Sequence, residues 1–436
     1  MAKKAPAAKK APAAKKRPTA KGKFERNPEH DDQGGEGAPI PEEVSERQSA
    51  ERLEEIQQYL ADRYAHRDVI TRTRTPGGIE IDWVPVESQH GGRCLADPPD
   101  EDRPPRLERG ERRAELMTFE LEKEGAKRGP RGTVPLLHTP IDRITPTVGL
   151  NDWLAKGARA NRVAPAGKAF GYEVPGTDVH KHVYATQNVT CYGTEGNINA
   201  WDPYTEWSDE FSLGQLWLIR GSGKGEQTLE VGHQEYRDLY GDWVPHLFLF
   251  YTTNGYTKQG KDENGTPLGG YNTDVDGWTQ YASTIHPGAL SSPLSQFGGT
   301  QFIMALKVQL WQGNWWVKVN GTWIGYYPAS LYSTTGLRDH ADRLDWGGEV
   351  VDSADHSGTT DTDMGNGHWP YEGWEHCAYM NNLRYQSTTP GAMSDYNGSA
   401  SSEYPACYGI ESHMLSGSSW GSYFWWGGSG RNANCP

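Results

Sequence analysis

Two stretches of the chain carry residue types suited to breaking a bond. The first, Thr228-Leu229-Glu230-Val231-Gly232-His233-Gln234-Glu235-Tyr236, reads as a strand bearing a carboxylate. Period-two alternation puts Glu230, Gly232 and Gln234 on one face and Leu229, Val231 and His233 on the other. The second is Trp346-Gly347-Gly348-Glu349-Val350-Val351, where two glycines bare the backbone beside an acid, as close approach by another molecule would need. Two carboxylates a few ångströms apart cannot both ionise cheaply, so one keeps a proton while the other stays charged. Such a pair can hydrolyse an amide. The ionised member takes a proton from water, and the protonated one polarises the carbonyl and later protonates the leaving nitrogen. Among 57 Asp and Glu a single Glu is ordinarily a solvated surface group, so the pairing itself must come from the fold.

The elements that must position these acids are strands at short spacing. Val183–Thr186, Gly196–Trp201, Ser212–Arg220 and the Glu230 stretch are followed by His246–Thr252, an apolar run fit for a buried strand. Phe302–Trp311 and Trp315–Val319 form a hairpin across Gln312-Gly313-Asn314, and Asn320-Gly321 makes a tight turn into Thr322–Tyr327. This pattern predicts an antiparallel two-sheet β-sandwich over residues 169–436. Before it, residues 41–67 read as a helix with Val44, Leu53, Ile56, Leu60 and Tyr64 near one stripe. Thr75-Pro76-Gly77-Gly78 is a turn, Ile79–Val86 and Gly132–Leu137 are extended, and residues 98–131 read as a loop with a short polar helix. Residues 41–150 thus form a small α+β unit. Residues 151–168, with Lys156, Arg159, Arg162 and Lys168 among Ala and Gly, read as an exposed, cleavable connector.

The 436 residues are too many for one ordinary core, and a mean hydropathy of −0.78 implies a sizeable polar or disordered fraction. Residues 1–40 fit that fraction, being a Lys/Ala/Pro-rich tail followed by a polar linker. The tail holds nine positive charges within residues 1–24, so the rest is more acidic than the net charge of −14 suggests, which argues against nucleic acid as a partner of the folded part. No apolar run approaches a membrane span, and no secretory leader is visible behind the basic start. The five cysteines include no CxxC pair. Cys407 and Cys435 bracket a Gly/Ser/Trp-rich segment and are either a disulfide or free buried thiols.

Other signals carry less. His180-Lys181-His182 lacks a nearby acid cluster and reads as surface, Asp274-Val275-Asp276-Gly277 lacks the remaining ligands of a calcium loop, and Gly221–Gly225 is a hairpin turn rather than a phosphate loop. No cofactor or metal is expected. No Gly-x-Ser-x-Gly elbow or cysteine-nucleophile signature is present.

From about residue 79 the chain resembles the neprosin family. Ile81-Asp82-Trp83-Val84 and Thr133-Val134-Pro135 resemble its activation-peptide motifs, with Trp83 where a cysteine is usual. Ile198-Asn199-Ala200-Trp201-Asp202-Pro203, Phe211-Ser212-Leu213 with Gln215 and Trp217, and Tyr240-Gly241-Asp242 follow in the family's order. So do Gly313-Asn314-Trp315-Trp316, Trp346–Val350 and the ending Gly430-Arg431-Asn432 with Cys435-Pro436. The resemblance implies a secreted glutamic endopeptidase acting on peptides or proteins, and a monomer is expected. It implies cleavage after proline, manufacture as a zymogen, and catalysis by Glu230 and Glu349. Gln215 or Gln234 would then donate to an oxyanion, and Trp217 or Tyr251 would stack on a prolyl ring, with core packing the competing use of each. A carbohydrate-binding or carbohydrate-cleaving sandwich is the alternative, since paired acids and tryptophans also suit sugars. A non-catalytic interaction module is a third.

Overall fold

The computed structural model describes residues 42–90, 95–100, 105–107, 113–139, 149–156, 178–354 and 356–436. These lie in one compact unit, Pro41–Pro436. The expectations for the basic tail and linker and for the connector over 157–168 fall outside the described residues.

The alternating runs become strands, and the strands form an antiparallel sandwich. The front sheet has eight strands. In spatial order they are Gly260–Lys261, Pro267–Tyr271, His246–Thr252, Gln227–Tyr236, Phe211–Arg220, Ala341–Asp352, Val179–Cys191 and Ser399–Ser402. Behind it lies a second sheet with Thr322–Pro328, Asn314–Val319, Phe302–Trp311, Gly193–Asn199, Ala378–Gln386 and Tyr423–Gly427 as consecutive neighbours. The hairpin at Gln312-Gly313 and the turn at Asn320-Gly321 fall where their turn residues predict, with Gln312 and Asn320 at positive φ.

The core between the sheets is aromatic. Trp346, fully buried, reaches across so that its indole N–H donates to Thr194 Oγ1 at 3.2 Å. Trp426 crosses the other way onto Gly214 and Gly348. A Cβ at Gly348 would stand 2.1 Å from Trp426, so this glycine serves core packing, not the approach of a substrate. At Gly347 a Cβ would meet the Val183 carbonyl at 2.1 Å, so the bare backbone there admits the neighbouring strand. Both glycines flanking Glu349 are therefore explained by the protein's own contacts.

The N-terminal part packs against the sandwich. The helix Glu42–Ala65 buries Ile56 and Leu60 in the main core, donates from Tyr59 Oη to the Asp274 carbonyl at 2.7 Å, and donates from Arg63 to the Thr273 carbonyl at 2.8 Å. Thr71–Arg74, Glu80–Pro85 and Thr133–His138 make a small antiparallel sheet around Ile79, Ile81, Trp83, Leu121 and Leu137. In the described part of 98–131 the loop-plus-helix expectation is replaced by two short strands and a 3₁₀ turn. Glu115–Leu116 pairs in parallel with Phe302–Ile303, and Thr118–Phe119 pairs with Ser291–Ser292. Edge pairing satisfies backbone groups that a free loop would leave to water.

A one-turn helix, Leu150–Trp153, then leads inward, and residues 153–156 are buried where an exposed connector was expected. Trp153 donates its indole N–H to the Asp238 carbonyl at 3.2 Å. Cys407 and Cys435 are bonded, while Cys191 and Cys377 are buried free thiols. Among the described residues no helix is long and apolar enough to cross a membrane.

Candidate active site

Strand register decides which side chains meet. Residues directly opposite one another in a sheet share a face. Gln215 lies opposite Gly347 on one side and Gly232 on the other. One row away Trp217 lies opposite Glu230, and one row the other way Leu213 lies opposite Glu349. Glu230 and Glu349 therefore stand diagonally across the central strand on one face, with Gln215 between them and no side chain on either glycine to separate the three.

A lysine from the inward-leading segment occupies the gap. Lys156 Nζ donates to Glu230 Oε2 at 2.5 Å and to Glu349 Oε2 at 2.5 Å, so the two oxygens stand no further apart than those two bonds laid end to end. The ammonium also donates to Gln215 Oε1 at 3.2 Å, and Gln215 Nε2 donates to Glu349 Oε2 at 2.9 Å. The Trp217 ring lies 5.2 Å from Nζ, within cation–π range. Lys156, Glu230 and Glu349 are all buried, and a buried cation between two carboxylates is how a protein keeps such charges from being isolated.

The far oxygen of each glutamate has its own setting. Glu230 Oε1 accepts from Tyr256 Oη at 2.5 Å and from Thr228 Oγ1 at 2.8 Å. Burial first, and then the Glu230 charge, push the Tyr256 phenol well above its usual range, so it remains a donor. Glu349 Oε1 faces His180 Nδ1 at 2.5 Å and His182 Nε2 at 3.5 Å. His182 in turn holds Glu403 Oε2 through Nδ1 at 2.8 Å. Burial alone would raise the Glu349 carboxyl. Lys156, then the His182 charge and the histidine hydrogen bonds, outweigh it and hold Glu349 well below the ordinary range. Burial lowers the His182 imidazole, but Glu403 and Glu349 overcome it and push it up to about 10. His180, His182 and Glu349 also present ligand-type atoms within 4.8 Å of one another.

Of the residues singled out from the sequence, Glu230, Glu349, Gln215 and Trp217 come together here. Gln234 does not reach them: it shares the face, but its amide donates to Tyr271 Oη at 3.0 Å. Tyr251 lies opposite Leu229 and so faces the core, where its hydroxyl donates to the Asp276 carbonyl at 2.5 Å. Its register removes it from any stacking role at this cleft. Sequence reasoning missed Lys156, Tyr256, His180 and His182. His180 and His182 have no acid cluster near them in the sequence, yet antiparallel pairing sets Glu349 directly opposite His182. The His-x-His alternation on a strand was the available signal. For Tyr256, at positive φ in the Asn254-Gly255-Tyr256 loop, no sequence signal pointed inward.

The Neprosin family profile matches residues 208–429, which contain both glutamates, Gln215 and Trp217. Among solved structures, CG-16, a homodimeric agglutinin from chicken liver, aligns with 39% of this chain and 96% of its own length, at 9% identity and a TM-score of 0.21. The profile match spans half of the chain, and with the ordered motifs around both acids it settles the kinship: the chain belongs to the Neprosin family of peptidases.

Proposed function

We propose that the chain is a glutamic endopeptidase cutting after proline, made as a latent precursor and working at acidic pH. The observation that carries this reading is the Lys156 ammonium seated between the Oε2 atoms of Glu230 and Glu349. That seat is where a hydrolytic water and a scissile peptide would have to lie, and the cation that fills it arrives from the segment leading out of the N-terminal part. Latency then needs no distortion of the site, only occupation of it.

With Lys156 withdrawn, the pair shares a proton. Glu349 keeps its charge because His180 and His182 stay beside it. Glu230 has hydroxyl donors on its far oxygen and, among the described residues, no cation bonded to it besides Lys156, so the proton shared by the pair is assigned to the Glu230 side. Glu349 takes a proton from water as the water oxygen attacks the carbonyl carbon. Gln215 Nε2, turned to the oxyanion, stabilises the developing charge. Glu230 then gives its proton to the leaving nitrogen as the carbon–nitrogen bond breaks, and the proton held by Glu349 returns across the pair. Trp217, on which the ammonium now rests, offers a flat face for a prolyl ring.

The test is incubation of the full chain at acidic pH with a proline-containing peptide pool and, separately, a glycan pool, followed by mass spectrometry. The reading expects self-cleavage and peptide products ending in proline. Glycan products with no peptide products would overturn it in favour of a carbohydrate-cleaving enzyme.

A further inference from the structure

The far side of Glu349 is built differently from the side Lys156 occupies. His180 and His182 are two residues apart on a strand, so both imidazoles project from one face, and the register brings Glu349 opposite His182. Glu349 Oε1 is 2.5 Å from His180 Nδ1 and 3.5 Å from His182 Nε2. Glu403 Oε2 holds His182 Nδ1 at 2.8 Å and accepts from the His182 backbone N–H at 3.2 Å, which fixes the ring and aims Nε2 at the carboxylate. A carboxylate on the far nitrogen of an imidazole is the outer partner that orients a metal-ligating histidine.

We propose that His180 Nδ1, His182 Nε2 and Glu349 Oε1 form a site for one divalent transition-metal ion of the zinc type, which displaces to solvent the protons the imidazole nitrogens share with Glu349. Three ligand atoms within 4.8 Å of one another can converge on an ion with bonds of about 2.0–2.2 Å once the His180–Glu349 contact opens and the widest pair closes, each toward the roughly 3.3 Å ligand separation of a tetrahedral ion. Two imidazoles and one carboxylate favour zinc, cobalt, nickel or copper, and disfavour calcium or magnesium, which take oxygen ligands. The partial exposure of both imidazoles, 22% and 16%, gives an ion a path in, and three protein ligands leave a position for water. Glu349 and Glu403 surround the site with the negative charge a dication needs.

Lys156 bonds the opposite oxygen of the same carboxylate, so its positive charge opposes the ion at close range. Metal and lysine are thus competitors for Glu349. A dication on Oε1 would also draw charge from that carboxylate and weaken it as a base, which makes the metal an off-switch for the proposed cleft.

The site is tested by binding, which does not depend on peptidase activity. The full chain and its Lys156→Met variant are freed of metal, then titrated with zinc against a chromogenic chelator at neutral pH, with cobalt absorption as a second probe. The Lys156→Met chain is expected to take up one ion per chain about tenfold or more tightly than the unaltered chain. His180→Ala or His182→Ala placed on that background should remove the uptake and the cobalt absorption. Glu403→Gln should weaken uptake about 10- to 100-fold without deleting a ligand, which guards against a histidine variant that fails to fold. The proposal is overturned if the Lys156→Met chain leaves all zinc with the chelator. It is equally overturned if the folded histidine variants bind as tightly as their parent.

Discussion

Replacing Lys156 by Met keeps most of the side chain's bulk and removes the ammonium that spans the two acids. Nζ makes two charge-assisted bonds of 2.5 Å to Glu230 and Glu349 and one of 3.2 Å to Gln215, all among buried groups. Removing one partner of a buried ion pair costs about 3–5 kcal/mol. Here the lower end applies, because the two carboxylates left behind relieve their repulsion by taking up one proton. Roughly 3 kcal/mol corresponds to a shift of about 100-fold in the balance between a seated and an unseated segment. Trp153 and Leu154 remain buried, so the segment keeps its apolar anchor. Trp153→Ala, at about 3–5 kcal/mol, would loosen the same segment without touching the charge. The assay is the initial rate on a short proline-containing peptide at acidic pH, with intactness of the chain followed on a gel. The variant should turn over peptide about 100-fold faster than the unaltered chain before any self-cleavage. The reasoning is refuted if intact Lys156→Met stays as latent as the unaltered chain while Trp153→Ala is released. Occupation of the site by the lysine would then be incidental, and apolar docking alone would impose latency.

Three further outcomes follow from the geometry. Gly347→Ala would drive a Cβ to 2.1 Å from the Val183 carbonyl, so about 1–3 kcal/mol of stability and most of the activity should go together, read by thermal unfolding and peptide turnover. Opening the Cys407–Cys435 bond, which spans 28 residues, should lower stability by about 3–4 kcal/mol on the loop-closure argument, measured by denaturant unfolding with and without reductant. Asp82, fully buried, is raised by burial but brought from 3.8 down to about 2 by hydrogen bonds from His138 and Arg72 and by nearby positive charge. A depressed carboxyl contributes stability above its unfolded value and loses it as pH falls through the folded one. About 2 kcal/mol should therefore disappear between pH 3.8 and about 2, and Asp82→Asn should flatten that limb of the unfolding curve.

The sandwich was legible because strand patterning is local: His246–Thr252 is the strand its apolar run predicts, and the turns at Gln312-Gly313 and Asn320-Gly321 carry their own chemistry. Glu230 and Glu349 could be picked out from their motifs, and Gln215 and Trp217 from the face they share. What the sequence withheld was register. Tyr251 looked available for stacking until its pairing with Leu229 turned it to the core. Lys156 was one of several cations in a small-residue run, and its partners lie 74 and 193 residues away, so nothing local marks which cation is buried. His180 and His182 have no acid cluster near them along the chain, because the acid they meet is on the neighbouring strand. Gly348 looked like room for a ligand and is room for Trp426.

The claim that Glu230 and Glu349 act as one proton-sharing pair is tested most directly by acid-pH turnover of a proline-containing peptide by the Lys156→Met chain beside the same chain carrying Glu230→Gln or Glu349→Gln. Each amide variant should fall by about 10²–10⁴-fold while remaining folded, because neither carboxyl can do the other's half of the transfer. Undiminished turnover in either one would contradict the pair, and with it the chemistry assigned to this cleft.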